Sequence, residues 1–302
     1  MRRLPAVITL SLALLLPLAA SADARIMVGV GDQNTAMFHD ARFKRLHLQL
    51  TRLALPWDWY RDPAYTAFLD QWVAGAQQSH VRPLIAFNRN WRKGGDRYRV
   101  PRGLLRKSFL TFRARYPWIT DFSAWNEANH TTQPTAKSPK LAARYYKTLL
   151  AACPRKCKIV AADVLDSRDM PAWIAKFKHY APKARLWGLH SYKDPNDGTT
   201  WHIRTLLRTV KGTVWFTETG GIKRLKPAPG SRGHGRTNSL RGQATAIKRV
   251  YALARANRRV KRIYFYQWFQ NRKQRWDSAF VDARNHKRPA LAALAYGFKH
   301  RR

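Results

Sequence analysis

The feature that most constrains this chain is an alternation. Short runs of β-branched and apolar residues recur at 25–31, 48–57, 82–88, 119–127, 158–165, 185–192, 213–220 and 262–269. Between them lie segments with helical spacing, among them 64–79, 102–115, 139–152 and 239–257, several opened by Pro or Ser as helix starts tend to be. Near-continuous hydrophobic strands separated by helical crossovers call for a parallel sheet covered on both faces. Eight such units in one chain of 302 residues predict a single (β/α)8 barrel. A doubly wound open sheet is the rival. It lacks its usual ligand signature, because "GVGDQN" after the first run has Gly29 and Gly31 but Asn34 where the third glycine belongs.

In such barrels the chemistry sits at the C-terminal ends of the strands, so residues are ranked by whether they end one. The chain contains only two glutamates, Glu127 in "FSAWNEANH" and Glu218 in "VWFTETGG". Both stand at the ends of apolar runs, the fourth and the seventh. Two carboxylates converging at a barrel mouth suit double-displacement cleavage of a glycosidic bond, one as nucleophile and one as acid, then base.

Several short sequences strengthen that reading. "WNEANH" ends the fourth run, "HSY" the sixth, "FTETGG" lies on the seventh and "YFYQWF" on the eighth. Together they resemble clan A of the glycoside hydrolases, retaining barrel enzymes with an Asn-Glu acid/base motif on strand four and a glutamate nucleophile on strand seven. "TRLALPWDWY" looks like that clan's strand two and "FVDARNHKRPALAALAYGF" like its closing segment, so the resemblance spans almost all of residues 25–302. The resemblance implies Glu127 as general acid/base and Glu218 as nucleophile. It also implies Asn126 against the sugar hydroxyl beside the reacting carbon, Arg52 and Tyr192 supporting Glu218, His190 as a further site residue, and Trp268 under the reacting sugar. Trp57, Trp59 and Trp91 are candidates for outer sugar subsites. Glu127 should have its pKa raised toward about 6 to serve as an acid, with Trp125 among the residues offering an apolar setting.

Other residues admit plainer roles. Arg52 precedes its strand end by several residues and could face a helix instead. Asp163, Asp166 and Asp169 form a carboxylate cluster at helical spacing, for which turn and cap roles are common. The basic, Gly- and Pro-rich loop 220–239 either closes over substrate or is a surface excursion.

Residues 1–24 read as a secretory signal: a basic start, an apolar core from Ala6 to Ala20 and a small-residue cleavage site. The expected location is therefore secreted or cell-envelope, with no membrane span beyond that segment. In an exported protein Cys153 and Cys157 are expected to close a disulfide, free thiols being the alternative. There is no HExxH, GxSxG or GxxxxGK motif, and nothing requires a metal or cofactor.

Lys and Arg number 57 against 17 Asp and Glu, a formal net charge of +40. Such a balance attracts polyanions, although no specific nucleic-acid motif accompanies it. The expected partner is an oligo- or polysaccharide, with acidic ones to be tested first. The rival function is a non-catalytic basic protein gripping acidic glycan, cell wall or nucleic acid. Both glutamates argue against it, since carboxylates at a polyanion-binding centre repel the ligand.

Overall fold

The structure, a computed structural model, describes residues 25–91, 94–153, 155–227 and 235–301. The signal-like segment 1–24 and residues 228–234 of the long basic loop lie outside the described residues. The first eight strands in chain order are β1 (Met27–Gly31), β2 (Leu50–Pro56), β3 (Arg82–Asn88), β4 (Asp121–Ser123), β5 (Lys158–Val160), β6 (Asp163–Leu165), β7 (Leu186–Ser191) and β8 (Thr213–Thr219). Two short strands, β9 (Arg224–Leu225) and β10 (Arg236–Thr237), precede β11 (Val260–Tyr266), and β12 (Trp276–Asp277) follows it. The helices are α1 (Ala41–Leu46), α2 (Pro63–Gln78), α3 (Arg102–Arg115), α4 (Pro139–Ala152), α5 (Met170–Tyr180), α6 (Lys193–Asp197), α7 (Trp201–Thr209), α8 (Leu240–Arg255) and α9 (Pro289–Lys299).

Nine parallel strands pair in the order β5-β4-β3-β2-β1-β11-β8-β7-β6. The two ends of that order, β5 and β6, are halves of the single run expected over 158–165. They are interrupted at Ala161 and Ala162, whose backbones still bond to β7 through Ala161 N to Leu186 O (2.9 Å) and Gly188 N to Ala162 O (2.9 Å). The ring is thereby completed, and nine strands make eight units, as the alternation requires.

The helices begin where the sequence signals them. Asp62 before Pro63 accepts from the backbone of Ala64 and Tyr65, and Ser138 before Pro139 accepts from Leu141. A large apolar layer lies between helices and strands, while Leu50, Leu84, Val160, Trp215 and Tyr264 fill the barrel interior as a separate cluster. A disulfide joins Cys153 to Cys157, with Cα atoms 5.7 Å apart, linking the end of α4 to the approach of β5. Among the described residues no helix is long and apolar enough to cross a membrane.

Two boundaries differ from the sequence reading. The fourth strand stops at Ser123, so Glu127 stands in the following turn rather than closing the strand. The eighth strand stops at Tyr266, which leaves Trp268 beyond its end. Both segments bend because their backbones pair elsewhere: Asn126 N bonds to Phe87 O at 2.7 Å, and Gln270 N to Val281 O at 2.9 Å.

Candidate active site

Glu218 owes its position to an irregularity in β8. Between Trp215 and Glu218 the strand runs three residues against two on β7, Gly188 to His190; from Phe216 to Thr219 it runs three against two on β11. One extra residue relative to both neighbours is a β-bulge, which breaks the strict alternation of faces. Thr217 and Glu218, consecutive in sequence, both reach partners inside the barrel: Thr217 Oγ1 donates to Asp163 Oδ1, and Glu218 meets Arg52 and Tyr192.

The Glu218 carboxylate is held at both oxygens. Arg52 donates from one guanidinium nitrogen to Oε2 at 2.7 Å, and the Tyr192 hydroxyl donates to Oε1 at 2.9 Å. Arg52 is fully inside the barrel rather than against a helix. Its other terminal nitrogen donates to Asn126 Oδ1 at 2.5 Å and Asp163 Oδ2 at 3.1 Å. Asn126 is fixed by this contact with its amide oxygen toward Arg52, so its amide N–H groups are turned elsewhere. Burial, and then the neighbouring Glu218 charge, push the Tyr192 hydroxyl well above its ordinary range, so it remains a donor.

Glu127 sits on a turn with φ of +46°, a conformation that costs a non-glycine residue about 1–3 kcal/mol. Surrounding bonds hold that turn in place. Ala128 N donates to Asp163 O at 2.8 Å, and Asn129 bridges to β6 through Leu165 N, Leu165 O and Ser167 Oγ. The Glu127 carboxylate faces His190, whose Nδ1 lies 3.1 Å from Oε1.

His190 is completely buried, with Nε2 3.1 Å from a terminal nitrogen of Arg52 and 3.3 Å from Asp163 Oδ1, and Nδ1 3.9 Å from Glu218 Oε1. Burial works against its charge, but Asp163 and Glu218 outweigh that and hold its pKa up at about 10. The imidazolium in turn sets the state of Glu127. Burial would raise this carboxyl, yet the hydrogen bond and charge of His190 bring it below the ordinary glutamate range. The expected rise toward 6 is therefore not found. Trp125 gives no apolar setting either: it packs on Tyr145 of α4, ring centroids 4.7 Å apart, and donates to Gln133.

Asp163 is the residue the sequence reading undervalued. It anchors Arg52, His190 and Thr217 at once, and the charges of His190 and Arg52 keep it well below the usual carboxylate range despite complete burial. Gly188 makes room for it, since a Cβ there would stand 2.5 Å from Asp163 Oδ1 and 2.8 Å from Thr217 Oγ1. The supposed cluster at helical spacing does not exist as such. Asp166 lies in the loop after β6 and accepts from the backbone of Tyr192 and Lys193, while Asp169 is exposed. Burial pushes Asp166 up to about 6.

The tryptophans fall differently from the expectation. Trp268 is 0% exposed, edge-on to Phe43 and hydrogen-bonded to Asp40, so it offers no open face for a sugar in this conformation. Trp57, at 2%, is covered by the stacked ring of Tyr98, and Trp59 packs against Phe112. Trp91 is the open one, at 56%. Trp276 was missed; it stands edge-on to Tyr192 at 4.6 Å and lines a cavity of about 460 Å³ together with Asp166, Lys193 and Arg236. The described parts of the loop 220–239 form with β12 a small antiparallel sheet beside that cavity. No signal in the sequence marks Trp276, because only the fold brings 276 beside 192.

One oxygen or nitrogen from each of Glu127, His190 and Glu218 lies within 4.8 Å of the others. Two carboxylates and a histidine resemble a metal site, and the Arg52 guanidinium already stands against Glu218 and Asp163 as a fixed positive charge. The arrangement instead presents two carboxylates, one clamped by Arg and Tyr, the other paired with an imidazolium.

The sequence matches the family described as glycosyl hydrolase catalytic core over residues 113–292, more than half of the chain. Solved structures with the same fold include a family 39 glycoside hydrolase from the gut symbiont Bacteroides cellulosilyticus WH2, 15% identical with a TM-score of 0.64. That comparison covers 91% of this chain but only 64% of the other. The native xylanase 10B of Thermotoga maritima is 13% identical with a TM-score of 0.61, over 92% and 96% of the two chains. A GH5_18 protein from Bifidobacterium longum subsp. infantis is 14% identical with a TM-score of 0.65, over 92% and 80%. No curated protein matches the sequence. The match over 113–292 takes in both glutamates and the strands that carry them, and with the barrel now seen whole, a fold shared with these solved structures, the chain belongs to the glycosyl hydrolase catalytic core family.

Proposed function

We propose that this protein is an exported retaining glycosidase in which Glu218 is the nucleophile and Glu127 the general acid/base. The observation that carries the assignment is the approach of the two carboxylates, within 4.8 Å at their nearer oxygens. Retaining enzymes hold such groups about 5–5.5 Å apart and inverting ones about 6.5–9.5 Å, to leave room for a water. Roles follow from surroundings. The Arg52 and Tyr192 donors each hold one oxygen of Glu218, fixing the carboxylate in the orientation a nucleophile needs.

In the first step a Glu218 oxygen bonds to the anomeric carbon as the glycosidic bond breaks, and the departing oxygen takes a proton from Glu127. In the second, Glu127 removes a proton from water, which attacks the same carbon and releases Glu218. Because His190 holds Glu127 below the ordinary glutamate range, the first proton is taken up from solvent or passes across the 3.1 Å contact from His190 Nδ1. Asn126 lies beside Glu127 with its amide oxygen taken by Arg52, which supports a role for its amide N–H as donor to the sugar hydroxyl adjacent to the reacting carbon.

The substrate class is an oligo- or polysaccharide, with Trp276, Tyr192 and the exposed Trp91 as its aromatic contacts; the signal-like 1–24 supports export. NMR of the first-formed anomer, on a panel of neutral and acidic glycosides of matched linkage, tests the mechanism. Net retention is expected. Inversion, or no turnover of any glycoside, overturns it, and export is checked by the N-terminal sequence of protein recovered outside the producing cell.

A further inference from the structure

At the opposite end of the barrel from the glutamates, the strand starts surround a second cavity of about 650 Å³. Its rim carries Arg25, Lys158, Lys183, Arg185 and Lys261, and its floor carries Arg82 and Arg262. Seven of its thirteen lining residues are Lys or Arg and none is acidic, against 57 Lys and Arg among 302 residues in the chain. The concentration is nearly threefold above an already basic average, so general composition does not account for it.

Internal pairing does not neutralise it. Among the described residues Asp121 is the one carboxylate in reach, and it is shared by Arg82 at 2.9 Å and Arg262 at 2.5 Å. Arg262 is further fixed by lying 3.7 Å over the Trp215 ring. Among the described residues Arg25, Lys158, Lys183 and Lys261 have no carboxylate within ion-pair distance. Arg185 is steadied by the backbone carbonyls of Pro182 and Ala184, which leave its charge uncompensated. Seven cations around one concavity with one counter-charge repel one another, and a concave low-dielectric wall strengthens the field they present to an anion.

We propose that this N-terminal mouth binds a compact ligand bearing several phosphoryl groups. Charge density selects the class. Neutralising the surplus within such a volume takes clustered charge, and each phosphoryl monoester brings about −1.5 to −2 at pH 7, whereas a uronate chain brings one charge per sugar ring. The arginines offer forked donors to phosphoryl oxygens, and the lysines serve as mobile point charges around them. The site is independent of Glu127 and Glu218, which lie at the other end of the strands.

The test is calorimetric titration of the full chain with inorganic tripolyphosphate at physiological ionic strength. Saturable one-site binding is expected, weakened about tenfold or more in a Lys158→Gln, Lys183→Gln, Lys261→Gln triple variant. A triple variant of equal charge change elsewhere, Arg204→Gln, Arg241→Gln, Lys248→Gln, is expected to bind as the parent does. Equal weakening in the two triples overturns the proposal, because the attraction is then diffuse. So does absence of binding to the parent, or equal affinity for an oligogalacturonate of the same total charge. Binding that survives Glu218→Gln keeps this outcome separate from the glycosidase reading.

Discussion

Each end of the barrel interior carries a buried arginine–aspartate pair, Arg52 with Asp163 near the C-terminal strand ends and Arg262 with Asp121 near the N-terminal ones. The pairs are alike in burial and opposite in company. Around Arg52 stand three carboxylates, those of Asp163, Glu127 and Glu218, against two cations. Around Arg262 stands one carboxylate, shared with Arg82, beneath a rim of cations. A buried ion pair by itself is weak support for stability. The difference in company sets one pair among the carboxylates of the proposed catalytic site and the other beneath the cations of the proposed anion site.

The comparison breaks most severely at the glutamates. Glu218→Gln is expected to lower turnover of a cleaved glycoside by roughly 10⁴-fold or more, and Glu127→Gln by about 10²–10⁴-fold, with the fold intact by circular dichroism. Parental turnover in both variants would remove the functional distinction between the two ends.

Next come the aspartates. Asp121→Asn strands buried Arg262, Asp163→Asn takes from His190 and Arg52 a carboxylate they share, and each is expected to cost about 3–5 kcal/mol in urea unfolding. Only Asp163→Asn should also depress kcat per folded molecule, since Arg52 and His190 lose their anchor. Because the Asp163 carboxyl is held below its unfolded value of 3.8, its contribution is present above that pH and disappears as the pH falls through the lower folded value. Parent and variant should therefore converge in acid. Equal loss of kcat in both variants would show that the two pairs do the same job.

The smallest effect concerns His190. In the parent, Glu127 is held below the ordinary glutamate range, so the alkaline limb of kcat/KM that it governs lies in acid. Replacing the imidazolium by His190→Gln frees Glu127 to titrate higher, and the limb should move toward neutral pH even as the maximal rate falls. Stability gives the matching sign. The folded pKa of about 10 exceeds the unfolded 6.5, so the contribution of His190 is complete below 6.5 and lost as pH rises through 10. A limb that stays in place would mean His190 does not set the charge of Glu127.

Much of this was legible in the chain. The helical segments 102–115 and 139–152 coincide with α3 and α4, and seven of the eight runs became unbroken strands, because periods of 3.6 and the apolar density of buried parallel strands are local properties. Glu127, Glu218, Asn126, Arg52, His190 and Tyr192 do come together, since strand ends in a closed ring face one centre. Trp57 and Trp268 did not open to the mouth. An aromatic residue reads the same in sequence whether its ring meets solvent or, as here, Tyr98 and Phe43.

By itself, then, the sequence determined the alternation, the eight units and the two positions at which a glutamate carboxylate was kept. Tertiary structure decided the rest: the extra residue in β8 that turns Glu218 inward beside Thr217, the Gly188 gap that admits Asp163, the ionised state of Glu127, and the gathering of cations at the other mouth. The reason is one of range. Patterning is written between residues a few positions apart, whereas register, burial and charge company arise only when strands distant in sequence pair and close the ring.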